Sequence, residues 1–355
     1  MSASLFDLQV PPEKTHVLFQ RLVDGDALAA ARSFMDLVFA EFRDVDGNFV
    51  REFQTGGFSA RVYELALFAY LREFGRELDR EHPAPDFVVR GKQPVAIEVT
   101  TTNPRQGTPS TPLTEYSSVP ADLETADREF VHQIGKAIRK KMQHLIGGQH
   151  YWDQAHVRGV PFVIAVGAFH NDHAHWHPMS LVAEYLYGQR DVLEKVPGAP
   201  ARVVLEKIED HEFGGRRIPS ALFTQDGLEN LAGVLFSNAH GTGKFNRIGI
   251  EHGYGVPGVT VVRIGICFDP DPASTRPREF GYEVVRQPRD SGVRENFAEG
   301  LHLFLNPWAS TQLSPEALPG ITVWTVVDGV ATTCVLPAGL HPYMSVNINV
   351  SAEKA

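Results

Sequence analysis

The chain has 355 residues, of which 43% are hydrophobic and 21% charged. This is the composition of an ordinary globular protein, and it excludes a chain that is disordered throughout. A formal net charge of −10 excludes a histone-like binder of nucleic acid, although local basic patches are compatible with it. The first residues lack the basic and apolar regions of a signal peptide, and no apolar run reaches the roughly 18 residues of a membrane helix. We therefore expect a cytoplasmic protein with no membrane partner.

The first hundred residues contain two predicted helices followed by a predicted hairpin. Small and apolar residues at helical spacing predict a helix over 26–43, and an almost continuously apolar stretch predicts a buried helix over 59–74. Residues 86–90 and 95–102 are typical of two strands joined by a tight turn, Gly91-Lys-Gln-Pro94.

The next segments continue the alternation of helix and strand. A stretch rich in Pro, Ser and Thr over 103–120 predicts an exposed loop. It is followed by a predicted helix over 123–145 and by a continuously apolar, buried strand over 160–167. The order of elements indicates an α/β protein with a central mixed sheet flanked by helices.

The second half of the chain is rich in predicted strands. A boundary within 188–200 divides the chain into a core over 1–195 and a strand-rich region over 196–355. The region either extends the sheet of the core or forms a second domain. Its predicted strands are 202–206, 232–236, 259–268, 281–285, 300–305, 321–327 and 331–336.

Three carboxylates in the first half stand in unusually apolar surroundings. Glu64 is the only charged residue between Arg61 and Arg72, on the predicted buried helix, and Asp86 and Glu98 stand on the two hairpin strands. An isolated buried charge is costly, so each acid is expected to be paired, hydrogen-bonded or bound to a metal ion. Carboxylate oxygens are ligands that Mg²⁺ prefers, and one or two of them commonly suffice together with water and substrate phosphate.

The helix with Glu64, the strand with Pro85-Asp86 and the strand with Glu98-x-Thr100 resemble the PD-(D/E)xK restriction-endonuclease-like superfamily. The resemblance extends over about residues 58–145. It implies a restriction-endonuclease-like core in which Asp86 and Glu98 bind Mg²⁺ or Mn²⁺ and Glu64 supports them. It also implies a catalytic lysine two positions after the Glu, where this chain has Thr100.

A lysine on the following helix is the predicted substitute. Some members of that superfamily carry the lysine on a neighbouring helix. On the helix over 123–145, Lys141 falls within the buried stripe that includes Ile134, Ala137 and Ile138. A lysine there needs an acidic partner, and the pair Asp86 and Glu98 is the candidate. The alternative is a lysine whose stem lies along apolar surface and whose amine reaches solvent.

The opposite face of the same helix is basic. It carries Lys136 and Lys140, and together with Arg61 these residues are the predicted contacts to a nucleic-acid backbone. Arg128, His132 and Arg139 extend this face. A solvated charged surface is the alternative interpretation.

Four histidines follow the buried strand closely, at His170, His173, His175 and His177. Imidazoles bind Zn²⁺, Cu²⁺ and Ni²⁺, but closely spaced ligands need a further group from elsewhere to complete a tetrahedral site. We therefore predict a polar surface loop here, with a histidine metal site as the alternative.

The segment His240-Gly-Thr-Gly-Lys244-Phe245 superficially resembles a phosphate-binding loop. It lacks the hydroxyl residue after the lysine, where Phe245 stands, and the first glycine, where Asn238 stands. A turn is predicted instead, although Lys244, Asn246 and Arg247 could line a cleft.

The combined expectation is a nuclease that uses Mg²⁺ or Mn²⁺ to hydrolyse phosphodiesters, in DNA processing or defence, with nucleic acid, chiefly DNA, as its partner. A homodimer is implied by the resemblance alone. The main alternative is a nuclease-fold protein that has lost catalysis, of which Thr100 would be the mark, and that acts as a binding or scaffold module.

Overall fold

The computed structural model describes residues 4–102, 120–195, 202–269, 274, 276–286, 294–334 and 340–351. Except for Pro120, the predicted loop over 103–120 lies outside the described residues. Within the described part of the chain, no helix is long and apolar enough to cross a membrane.

Seven α-helices are described: α1 (Val17–Asp24), α2 (Ala29–Phe39), α3 (Phe49–Gln54), α4 (Phe58–Glu73), α5 (Leu123–Met142), α6 (Met179–Tyr187) and α7 (Thr242–Gly249). The described strands of the first half are β1 (Leu78–Asp79), β2 (Phe87–Val89), β3 (Val95–Thr102), β4 (Phe162–Ala168) and β5 (Gln189–Glu194). Those that follow are β6 (Arg202–Lys207), β7 (Asp210–Phe213), β8 (Arg216–Pro219), β9 (Leu231–Ser237), β10 (Val259–Cys267), β11 (Arg278–Val284), β12 (His302–Leu305), β13 (Thr322–Val327), β14 (Val330–Cys334) and β15 (Pro342–Ser351).

A mixed eight-stranded sheet runs through the molecule in the order β1-β2-β3-β4-β9-β12-β13-β14. The β2–β3 hairpin is antiparallel, whereas β3, β4 and β9 are parallel neighbours. β12 is antiparallel to β9 and parallel to β13. The predicted α/β class with a central mixed sheet is thus confirmed. Four strands that follow residue 196 lie in the same sheet as β3 and β4.

Two hydrophobic cores lie on opposite faces of this sheet. Alternating residues of β3 point to opposite faces, so Val95, Ile97 and Val99 join the core that contains α4, whereas Ala96 joins the core that contains α5. α2, α3 and α7 belong to the α4 side, and α6 belongs to the α5 side. Helices therefore flank the sheet on both faces, as predicted.

Three smaller sheets accompany the central one. β10 lies between β11 and β15, and the hairpins β5–β6 and β7–β8 form two-stranded sheets. The strand candidates of the second half correspond to β6 and β9–β14, whereas β1, β5, β7, β8 and β15 were not predicted. Short strands and exposed hairpins, such as β7 and β8 with four residues each, carry too little apolar alternation to be recognised from the sequence.

Candidate metal and nuclease site

The β2–β3 hairpin brings Asp86 and Glu98 together. Phe87 pairs with Ile97, so Asp86 precedes this pair on one strand and Glu98 follows it on the other. The Val99 N–H donates to Asp86 Oδ2 at 2.7 Å, and the Asp86 N–H donates to Glu98 Oε2 at 3.3 Å. Each carboxylate is therefore held by the backbone of the opposite strand, which fixes the two acids side by side at the sheet.

Lys141 reaches Glu98 from α5. Its Nζ lies 2.5 Å from Glu98 Oε1 and 5.8 Å from the centre of the Tyr151 ring. Glu98 also accepts a hydrogen bond from the Tyr151 hydroxyl. Lys141, which the helical period places on the buried stripe of α5, thus contacts Glu98, two positions before Thr100. Sequence reasoning missed Tyr151, because only tertiary folding brings the short helical turn at Tyr151–Asp153 against β3.

Glu64 is buried on the α4 side of the sheet and is paired with two arginines. It forms an ion pair with Arg61, one turn away on α4, and Arg80 Nη2 lies 3.9 Å from its other oxygen. The Arg80 guanidinium stacks over the rings of Phe42 at 4.2 Å and Phe87 at 4.9 Å. Arg80 follows the very short β1, so no sequence pattern indicated that it would reach Glu64.

Glu64 and Glu98 are both hard to ionise, because they are buried and are repelled by the charge of Asp86. Burial, and then the charge of Asp86, raise the pKa of Glu98 to about 8, against the opposing effect of Lys141. The same two causes raise the pKa of Glu64 to about 7, although Arg61 and Arg80 favour its charged form. Asp86 is therefore electrostatically coupled to an acid on each side, and the three carboxylates form one charged group.

The donors of this group fit a hard divalent cation. Asp86 and Glu98 would hold it, since Mg²⁺ and Mn²⁺ take oxygen ligands and Mg²⁺ usually keeps several waters beside one or two carboxylates. A positive ion would also offset the repulsion that raises the pKa of Glu98. Among the described residues, no group of three or more His, Cys, Asp or Glu side chains could hold a metal ion. Asp86 and Glu98 would therefore need water or substrate oxygens to complete the coordination of an ion.

A narrow polar cleft gives access to the Glu64 and Asp86 side of the group. Arg61, Arg80 and His82 line it together with the two acids, and Asp44 and Asp46 complete its rim. The open volume of this cleft is about 20 Å³, which is enough for about one water molecule beside Asp86.

The predicted nucleic-acid contacts lie on two different faces. Lys136 and Lys140 are exposed on α5, whereas Arg61 is on α4, across the sheet, and is paired with Glu52 and Glu64. Two further members of the predicted basic face are engaged by the protein, because His132 Nε2 contacts the His211 carbonyl at 2.9 Å and Arg139 donates to Gln225 at 2.5 Å. Arg61 thus lies at the acid cluster and apart from the outer face of α5.

The histidine segment is not the surface loop that was predicted. His170 and His177 are only 6% and 1% exposed, because they pack against Phe130 of α5. His177 Nδ1 lies 2.6 Å from Asp127, and His170 Nδ1 lies 3.0 Å from the Thr102 hydroxyl. The polar composition of the segment concealed this packing.

The glycine-rich segment is also not the turn that was predicted. Thr242 begins α7, and Lys244 is buried, with its amine 3.0 Å from Glu295 and 2.8 Å from the Glu299 carbonyl. Lys244 and Arg247 line a cleft, as considered from the sequence, whereas Asn246 is buried against α2, where it accepts from the Ala31 N–H at 3.1 Å.

Comparison of the chain with protein-family models, with curated proteins and with solved structures gives no match. The function is therefore inferred from the residues of the site themselves.

Proposed function

We propose that the chain is a Mg²⁺- or Mn²⁺-dependent nuclease with a restriction-endonuclease-like core formed by α4, β1–β4 and α5. The observation that carries the proposal is the contact of Lys141 with Glu98, 2.5 Å apart, beside the backbone-fixed Asp86. The resemblance requires a lysine next to these two acids, and α5 supplies one although β3 carries Thr100.

The proposed roles follow from the chemistry of each side chain. Asp86 and Glu98 bind the metal ion, which when bound supplies Lewis-acid activation and a more acidic water. The Lys141 ammonium orients the attacking water and stabilises negative charge that develops on the phosphate. Glu64, held by Arg61 and Arg80, supports the two metal ligands, and Tyr151 fixes the orientation of the Glu98 carboxylate.

DNA is the proposed substrate. Lys136 and Lys140 on the exposed face of α5, and Arg61 at the cleft, are the proposed contacts to phosphates. In a chain with a net charge of −10, such contacts must act locally. A homodimer that cuts both strands is part of this proposal.

The test is cleavage of supercoiled and single-stranded DNA with Mn²⁺ by four proteins: wild type, Glu98→Gln, Lys141→Met and Lys14→Met. We expect Glu98→Gln and Lys141→Met each to lose about 100-fold or more in cleavage rate, the range seen when one positioned group that stabilises the transition state is removed. Lys14→Met, at an exposed lysine outside the proposed site, is the matched control and should keep cleaving. Equal cleavage by all four proteins, or by none, would contradict the proposal.

A double variant tests the role of Lys141 more sharply. Thr100 shares the Glu98 face of β3, so the substitution Thr100→Lys restores a lysine at the position that the resemblance implies. We expect Thr100→Lys combined with Lys141→Met to cleave faster than Lys141→Met alone. No recovery in a folded double variant would argue against a water-activating role for Lys141.

One observation favours the second candidate, a binding module without catalysis. Glu64 is paired with Arg61 and Arg80, and Glu98 is paired with Lys141 and Tyr151, so the protein itself satisfies both acids. This candidate predicts DNA binding that is independent of Mn²⁺ and unaccompanied by cleavage.

A further inference from the structure

A second cavity, of about 800 Å³, lies at the ends of the parallel strands β4 and β9. Its walls include residues 168–172 at and after the end of β4, residues 238–239 and 241–244 after β9, and residues 342–347 of β15. Ligands of open α/β sheets bind outside the carboxyl ends of the strands, and 300–1,000 Å³ is the usual size of a small-molecule site. Neither Glu98 nor Lys141 lines this cavity, so it is distinct from the proposed nuclease site.

The N-terminus of α7 opens into the cavity. Gly241 occupies the N-cap, no side chain caps the helix, and Gly241, Thr242 and Gly243 all line the wall. A Cβ added to Gly241 would meet only Phe169, at 4.0 Å, so packing does not require glycine here. The glycines instead leave the first backbone N–H groups of the helix accessible, which is the arrangement that binds phosphate.

The charge beneath this helix also favours an anion. Three buried cations share two carboxylates: Lys244 lies 3.0 Å and Arg247 2.7 Å from Glu295, and Arg263 lies 2.7 Å from Glu299. The neighbouring cations hold the pKa of Glu295 well below its usual range. The formal charges of these five groups sum to +1. Two further acids, Glu73 and Glu251, adjoin the group, and burial raises the pKa of each, to about 7 for Glu251, which favours their neutral forms.

His170, on the same wall, is an independent observation that points to a bound ligand. It lines the cavity and is only 6% exposed. Its Nδ1 contacts Thr102, but within the described chain its Nε2 has no hydrogen-bond partner. Burial lowers the pKa of His170 to about 4, so the ring is neutral at neutral pH. Buried polar atoms are nearly always satisfied, and a hydrogen bond from a ligand would satisfy this one.

The remaining walls fit a ligand whose part outside the phosphate is partly aromatic and partly polar. Phe169 and Tyr343 contribute aromatic rings, and Asn171 and Asn238 contribute amides, of which the Asn171 oxygen and the Asn238 nitrogen already bond to the backbone. Aromatic faces stack with nucleobases and amides can hydrogen-bond their edges.

We infer that this cavity binds a phosphate monoester of mononucleotide size, with its phosphate at the N-terminus of α7 and its base among the aromatic side chains. The first test is calorimetric titration of the full chain with AMP, adenosine and inorganic phosphate, in EDTA so that divalent ions at the nuclease site do not contribute. We expect AMP to bind in a 1:1 ratio, at least tenfold more tightly than adenosine or inorganic phosphate. Absence of AMP binding, or equal binding of adenosine, would overturn the inference.

Substitutions at Gly241 locate the phosphate. Gly241→Val covers the helix N–H groups, and we expect it to weaken AMP binding at least tenfold. Gly241→Ala is tested as well in case the valine disturbs folding, and it should show a smaller loss of AMP binding. Gly255→Ala is the matched control, because Gly255 lies outside the cavity and its added Cβ would make only contacts of 3.5 Å or longer. Unchanged AMP binding in the folded Gly241 variants would overturn the placement.

The same titration separates this inference from the proposed nuclease. Glu98→Gln removes a metal ligand of the other site, so it should abolish DNA cleavage and leave AMP binding unchanged. Loss of AMP binding in Glu98→Gln would show that AMP binds at the nuclease site and would overturn the second site.

Discussion

At the scale of single residues, Glu98 has a more strongly raised pKa than Glu64, about 8 against about 7. Its side chain is buried beside Asp86, and its partners Lys141 and Tyr151 only partly offset that cost. Acids whose pKa values lie near neutrality concentrate at functional sites, where a metal ion or a substrate changes their charge. Glu98 should accordingly lose its proton when a cation binds, so metal affinity is expected to rise with pH up to about 8.

The raised pKa of Glu98 also predicts how stability depends on pH. Its ordinary value is 4.5 and its folded value is about 8. Between these values the folded chain holds a proton that the unfolded chain has lost, so stability falls as pH rises, by up to about 1.4 kcal/mol per pH unit. Glu98→Gln should therefore show a shallower decline between pH 5 and 8 in urea unfolding. Glu124→Gln, an exposed glutamate of α5, is the control, and identical slopes for wild type and Glu98→Gln would contradict the prediction.

Which residues of the site could be predicted depended on whether a local pattern encodes them. Glu64 and Glu98 were recognisable as charges in apolar runs, and Lys141 was recognisable because the helical period carries it onto the buried stripe. Tyr151 and Arg80 lie on short irregular segments, whose positions are set by tertiary packing alone. Lys244 was misread as part of a turn, because the flexible glycines before it concealed the helix N-terminus.

At the scale of elements, the position of α5 decides whether Lys141 meets Glu98. α5 packs against α6 through Gly135, where an added Cβ would lie 2.5 Å from the hydroxyl oxygen of Tyr185. Tyr185 is fully buried, so it has little room to move. The missing side chain at Gly135 thus allows the close approach that places the C-terminal half of α5 over β3.

Gly135→Ala should therefore destabilise the protein, by about 1–3 kcal/mol as expected for overpacking. This runs against helix propensity, which favours alanine by about 1 kcal/mol. DNA cleavage should fall as well, because Lys141 moves with the helix. Lys136→Ala, exposed on α5, is the control for propensity in the unfolding assay. A Gly135→Ala protein that unfolds at a higher urea concentration than wild type would refute the packing argument.

The elements themselves were predicted unevenly. Long segments with a clear period, such as α4, α5, β3 and β4, were recognised from the sequence. β15 was missed although it has ten residues and alternates apolar and polar side chains from Met344 onward. The pairing of β15 with β10 joins positions about 90 residues apart, for example Val261 with Asn349, which no local pattern specifies.

At the scale of the whole molecule, the central sheet unites the two halves of the chain. β4 is hydrogen-bonded to β3 on one side and to β9 on the other, and β9 is buried along its length. The second half also contacts α4 directly, since the Tyr70 hydroxyl donates to the Pro319 carbonyl at 2.9 Å. The predicted division near residue 195 thus marks a change in sequence pattern. The central sheet contains strands from both sides of this division.

A chain that ends at residue 195 should not fold independently. Removal of β9 would expose the apolar edge of β4 and uncover part of both cores. We expect residues 1–195 to show no cooperative urea transition and to bind the dye ANS, as loosely packed chains do. The full chain is the control, and a cooperative transition of the fragment with native-like near-ultraviolet circular dichroism would contradict this expectation.

The reciprocal backbone contacts of the β2–β3 hairpin have one more consequence. Side chains alternate along a strand, so slippage of β3 by a single position would turn Glu98 toward α4 and away from Lys141, and would also separate it from Asp86. Only the correctly paired hairpin assembles the three groups. The proposed DNA cleavage would then be proportional to the fraction of chains whose hairpin is correctly paired.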